Sequence, residues 1–148
     1  MFSKSRLYVF LQILLFALFL FTPAIWTFRF GTYVVTGFKL LAFGGMALSI
    51  MAVLQMGNTL KVFPEPKEEG QLITSGFYRY SRHPIYTGLI IFFFGYSLAS
   101  GSLSRVILSL SLLWLFHMKS RYEESLLQEK YPEYTLYQSK TGRFFPKF

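Results

Sequence analysis

Apolar residues run almost without a break over 7–28 and 33–56, and again over 84–100 and 103–118. A helix over residues 7–28 measures about 33 Å at about 1.5 Å per residue, enough to cross a hydrocarbon core of about 30 Å. Pro23 sits near its far end, where it kinks or stops the helix. Lys4 and Arg6 ahead of the run also suit a signal peptide, but the run is too long and no small-residue cleavage site follows. The second run holds Lys39 near one end, where the ammonium reaches the interface. Gly45, Ser49 and Ala52 recur along it at helical spacing, a stripe of small residues suited to close approach of a neighbouring helix.

The third and fourth runs are joined by Ser100-Gly101-Ser102, a connection that makes them an antiparallel pair. Pro84 opens the third, at the helix position where a missing N–H is tolerated. The fourth continues past Met118 as an amphipathic extension through Lys130 and ends near Pro132, and the tail beyond is basic and aromatic. The expected fold is therefore all-α: one membrane domain over residues 1–148, with four transmembrane helices and a C-terminal helical extension. Residues 57–82 form the longest polar stretch, broken by Pro64, Pro66, Gly70 and Gly76. Leu72, Ile73, Phe77, Tyr78 and Tyr80 make it too apolar for disorder, so it is expected to fold over something.

Charge and composition sharpen this picture. Charged residues make up 15% of the chain, against roughly 25% in soluble proteins. The net charge of +8 comes from basic residues beside apolar runs, which suits anionic lipid headgroups rather than nucleic acid. Most basic residues flank the first run or lie in the central stretch and tail, leaving Arg29, Lys39 and Arg105 on the other side. By the positive-inside rule both termini face the cytoplasm. The absence of cysteine removes disulfides, thiol nucleophiles and thiolate metal sites. His83 and His117 lie far apart without an HExxH pattern, so no metal is expected. Neither GxxxxGK[ST] nor GxGxxG is present, so a nucleotide-derived cofactor would bind outside the standard folds.

The hairpin goes out and returns, bringing His83 and the Glu123-Glu124 pair to one membrane face. The start of the third helix carries a partial positive charge, and the end of the fourth is acidic. A zwitterion fits across the two, and S-adenosylmethionine, with its carboxylate, ammonium and sulfonium, matches better than a nucleotide. Each residue also has a plainer reading. His83 is a possible interfacial cap, and Glu123 a possible partner of Lys119 at i, i+4 on a solvated face. Arg143 with Phe144 and Phe145 suits a surface anchor, and Tyr78, Tyr80 and Tyr86 an interfacial belt.

Three segments carry a family resemblance: Arg82-His83-Pro84-Ile85-Tyr86-Thr87-Gly88, then Glu123-Glu124-Ser125-Leu126-Leu127, then Tyr131, Glu133, Tyr134 and Tyr137 followed by Arg143 and Pro146. In this order they resemble the integral-membrane methyltransferases of the isoprenylcysteine carboxyl methyltransferase and phospholipid N-methyltransferase type, over roughly residues 70–146. The resemblance implies S-adenosylmethionine as cofactor, in a pocket formed by the central loop, the hairpin ends and the tail. The contacts it implies are Leu72, Ile73, Tyr78, Arg82, His83, Pro84, Ile85, Tyr86, Glu123 and Glu124. It further implies His83, Glu123 and Glu124 as catalytic groups and Lys119, Arg121 and Arg143 as acceptor contacts.

Lys119 stands where the eukaryotic isoprenylcysteine enzymes place an arginine for the substrate carboxylate, and Lys130 stands in place of a glycine. The acceptor is thus left open among a prenylcysteine-like carboxylate, a phospholipid amine and another lipid O or N nucleophile. A carboxylate needs no base, whereas an amine, phenol or enol does, and His83 is the candidate. The implied protein is multi-pass, in the plasma or inner membrane or the endoplasmic reticulum, with a cytoplasm-facing site. Its expected partners are membrane lipids and a lipophilic substrate from the bilayer, with neither nucleic acid nor metal. Two rivals remain at this point: an NADPH-dependent membrane reductase of the sterol-reductase type, and a non-catalytic scaffold that binds anionic lipid.

Overall fold

The computed structural model describes residues 4–57 and 71–147. Five α-helices are present among them: α1 (Lys4–Phe21), α2 (Thr32–Met56), α3 (Pro84–Ala99), α4 (Leu103–Lys130) and α5 (Tyr134–Lys140). The charged part of the expected central loop, from Lys61 to Glu69, lies outside the described residues. The two N-terminal helices are each long and apolar enough to cross a membrane, while Pro84–Ala99 is shorter. Their outward faces carry large exposed apolar side chains, among them Phe10, Phe21, Leu40 and Phe43, as a lipid-facing helix requires.

The first helix is shorter at its far end than the expected span over residues 7–28. It stops at Phe21, two residues before Pro23, because proline lacks an amide donor and restricts the residue before it. The apolar residues beyond Pro23 form no helix. They turn back along the α3–α4 connection, where Phe28 N–H donates to the Gly101 carbonyl at 2.8 Å and Leu103 N–H to the Trp26 carbonyl at 3.2 Å. Ser104 Oγ adds a bond to the Pro23 carbonyl at 3.1 Å. Gly101 needs its glycine here, since its φ is +59° and a Cβ would collide with the Phe28 carbonyl.

The small-residue stripe on α2 packs as expected. Ala42, Gly45, Ser49 and Ala52 are buried, and a Cβ on Gly45 would lie 2.6 Å from the Gly88 carbonyl oxygen of α3. With the backbones this close, Ser49 Oγ donates to the Ile85 carbonyl at 2.7 Å. On the other side α1 packs against α3 and α4 through Phe19, Ile90, Phe93, Leu112 and Phe116. The Phe19 and Phe93 rings meet edge to face at 4.7 Å, a favoured aromatic geometry. In lipid, such close contact and interhelical hydrogen bonding hold helices together in place of the hydrophobic effect.

The fourth helix runs unbroken from its Ser102 N-cap to Lys130, so the expected extension past Met118 is one rigid rod with the hairpin arm. The short helix α5 was not foreseen in the tail. It folds back on the extension, with Tyr134 fully buried.

Candidate active site

The start of α3 meets the stretch of α4 around Glu123 and Glu124, well beyond the hairpin turn. His83 is the N-cap of α3, ahead of Pro84. Its Nδ1 lies 3.4 Å from Glu123 Oε2 and its Nε2 3.1 Å from Glu124 Oε1, so both acids grip one imidazole. Tyr86, one turn into α3, stacks its ring parallel to His83 at 5.5 Å and to Phe116 at 4.8 Å. Its hydroxyl donates to Glu123 Oε1 at 2.6 Å. Burial pulls the His83 pKa down, but the hydrogen bonds and charges of the two carboxylates more than offset this, and it sits above its ordinary value.

The adjacent acids have different surroundings. Glu124 is 3% exposed, and its oxygens accept from Arg82 Nη2 at 2.9 Å and Arg143 Nη2 at 2.8 Å. Gln138 Nε2 adds a bond at 3.2 Å. Burial pushes this carboxyl up, yet the His83 and Arg143 bonds and the Arg82 charge hold it well below the usual carboxylate range. Glu123, at 16% exposed, is the less buried of the two.

The C-terminal tail straps the start of α3. Arg82 and His83 amides donate to the Gly142 and Arg143 carbonyls at 2.9 and 3.1 Å, and Thr87 Oγ1 donates to the Phe144 carbonyl at 2.7 Å. The partial positive charge expected at the start of the third helix therefore does not come from free amides of His83 or Pro84: the tail takes the first, and proline has none. The amides of Ile85 and Tyr86 are the first-turn groups that helix geometry leaves without an intrahelical acceptor.

A 3₁₀ turn, Gly76–Arg79, brings in Tyr78. Gln55 at the end of α2 clamps the turn, donating to the Ser75 carbonyl at 2.7 Å and accepting from Phe77 N–H at 3.0 Å. Tyr137 of α5 holds it from the other side by a bond to the Tyr78 carbonyl. The Tyr78 phenol is buried, yet its hydroxyl has no hydrogen-bond partner among the described residues. Burial, with Glu123 nearby, pushes its pKa up to about 12, so it remains a proton donor. Leu72 and Ile73 precede the turn, half-buried.

Two other expected residues fall differently. Lys119 is buried and directs its ammonium to Gln12 Oε1 of α1 at 2.8 Å, 5.2 Å from the centre of the Tyr86 ring. Arg121 is exposed on α4 and joins none of these contacts among the described residues. Gln12, Gln55, Tyr137 and Gln138 were not singled out from the sequence as site residues. Only Tyr137 carried a signal, as part of the closing motif.

The polar groups fit a zwitterionic cofactor: first-turn amides as donors, the partly exposed Glu123 carboxylate as acceptor and a buried phenol with no partner among the described residues. A family model described as phospholipid methyltransferase matches residues 32–134. An uncharacterised protein of Schizosaccharomyces pombe is 39% identical over 80 residues, 49% of this chain and 23% of that protein. The cobalt-zinc-cadmium resistance protein CzcN of Cupriavidus metallidurans is 28% identical over 109 residues, 73% of this chain and 50% of that one. The chain thus spans half or less of the curated relatives it matches. Among solved structures, the eukaryotic intramembrane Ras methyltransferase ICMT (isoprenylcysteine carboxyl methyltransferase) shares the fold. Its TM-score is 0.69 at 23% identity, over 98% of this chain and 54% of that one.

Proposed function

The chain belongs to the phospholipid methyltransferase family, and from that premise we propose that it transfers the methyl group of S-adenosylmethionine to a lipophilic acceptor reached from the bilayer. In this reading α1 to α4 all span the membrane, and the start of α3 and the Glu123–Glu124 stretch of α4 face the cytoplasm. What most supports it is the contact of His83 with both Glu123 and Glu124 beside the unpartnered Tyr78 hydroxyl.

The cofactor, when bound, supplies an electrophilic methyl group on a positively charged sulfur. Glu123 provides the counter-charge for its cationic groups, and the Ile85 and Tyr86 amides serve its carboxylate. Tyr78 offers a buried donor to the ligand. Glu124 stays bound to Arg82, Arg143, His83 and Gln138, and its role is to fix His83 and the tail in place. Tyr86 and Phe144 flank the imidazole, with Phe116 stacked on the far face of Tyr86, and together they keep water out, which strengthens each charge interaction. Methyl transfer is a direct displacement, so orientation of the two reactants is the main contribution asked of the protein.

His83 is held between two carboxylates that favour its protonated form, a poor arrangement for a base. The site therefore suits an acceptor that is already ionised, such as a carboxylate, better than a protonated amine. Incubating membranes that contain the protein with a methyl-labelled cofactor tests this. Label in an extractable lipid or lipid-modified species, absent with Glu123→Ala, supports the proposal, and no protein-dependent label contradicts it.

A further inference from the structure

Lys119 and Glu123 lie one helical turn apart on α4, the spacing at which opposite charges pair by default. In the structure they are kept separate. The Lys119 ammonium, 4% exposed as a residue, turns to α1 and donates to Gln12 Oε1 at 2.8 Å. The Tyr86 ring presents its face to this ammonium while its hydroxyl bonds to Glu123. Gln12 is the one side-chain amide in α1, in an otherwise apolar stretch, where a polar group needs a partner to be tolerated.

We propose that Gln12 is a positioning residue for the cofactor site: it holds Lys119 on the far side of Tyr86 and so keeps that ammonium from neutralising the Glu123 carboxylate that a cationic ligand would meet. The inference rests on the proposed function and extends it to a residue of the first helix. Without Gln12, a buried ammonium on a flexible four-carbon stem has Glu123 as its next anion. Once paired there, it neutralises the charge that a sulfonium or ammonium group would use.

The test is titration of the full-length protein in detergent with S-adenosylhomocysteine, whose ammonium keeps the cationic end of the cofactor. Gln12→Leu raises the dissociation constant by roughly tenfold through competition for Glu123. Gln12→Glu still holds the ammonium and binds as the wild type does. The double variant Gln12→Leu/Lys119→Met recovers affinity, because no ammonium remains to swing across. A purely structural Gln12 gives no such recovery. Wild-type affinity in Gln12→Leu, or a double variant as weak as that single one, overturns the inference and leaves the proposed function standing. If the single variant does not fold, the double variant alone decides, and weak binding by it has the same meaning. Absence of saturable binding by the wild type overturns the proposed function and this inference together.

Discussion

Arg143 Nη2 donates to Glu124 Oε2 at 2.8 Å, tying the C-terminal tail to α4 directly beneath the imidazole of His83. Breaking this node leaves Arg82, Arg143 and His83 around a lost counter-charge. Glu124→Ala is expected to cost about 3 kcal/mol, at the low end for a broken buried pair because Arg143 is partly exposed. Thermal unfolding in detergent checks it, and a midpoint unchanged from wild type counts against the structural role.

The α2–α3 contact predicts a sharp difference between two glycines. A Cβ at Gly88 would run into the Gly45 carbonyl and Ser49, whereas one at Gly44 meets nothing within 4 Å. Gly88→Ala is expected to cost about 1–3 kcal/mol by overpacking, and Gly44→Ala to leave stability within about 0.5 kcal/mol. Thermal midpoints of the two variants provide the comparison.

The pH profile follows from His83 and Glu124. His83 has a raised folded pKa, so its stabilising contribution is fully present below its unfolded value of about 6.5 and fades as pH rises through the folded one. Glu124 has a depressed folded pKa, so its contribution is present above about 4.5 and is lost as pH falls through the lower folded value. The charged groups facing the imidazole are Glu123 and Glu124, with Arg82 and Arg143 behind the latter. In His83→Gln the alkaline decline in thermal midpoint is expected to flatten while the acid limb persists. An unaltered alkaline limb would rule out His83 as its source.

Tyr78→Phe separates folding from binding. A buried hydroxyl without a partner costs roughly 1–3 kcal/mol, so its removal is expected to hold or raise the thermal midpoint. If the hydroxyl meets the ligand, affinity for S-adenosylhomocysteine falls by about tenfold, the worth of one good hydrogen bond. Unchanged affinity would place the phenol outside the ligand contacts.

Much of this architecture was legible in the chain, for local reasons. The second, third and fourth helices follow from uninterrupted apolar runs, and Pro84 marks the start of α3 within the same rules. The ordered His83, Glu123 and Arg143 motifs carried the family resemblance that the match to residues 32–134 bears out. The end of α1 was misjudged because residues 22–28 are as apolar as a helix, while their backbone bonds go to a turn some 75 residues away. Helical spacing allows a Lys119–Glu123 pair, and the resemblance implies Lys119 as an acceptor contact. Its actual partner, Gln12, is 107 positions distant, and no local pattern encodes that. The Gln55 clamp and the packing of α5 are hidden for the same reason.

Glu123 is the carboxylate left partly open, and its contact with a zwitterionic methyl donor is what the account most depends on. Calorimetric titration of purified protein with S-adenosylhomocysteine measures it directly. Saturable binding to the wild type and a loss of at least about tenfold in a still-folded Glu123→Ala are expected, as removal of a charged partner entails. A wild type that does not bind, or a Glu123→Ala variant that binds equally well, would contradict the account.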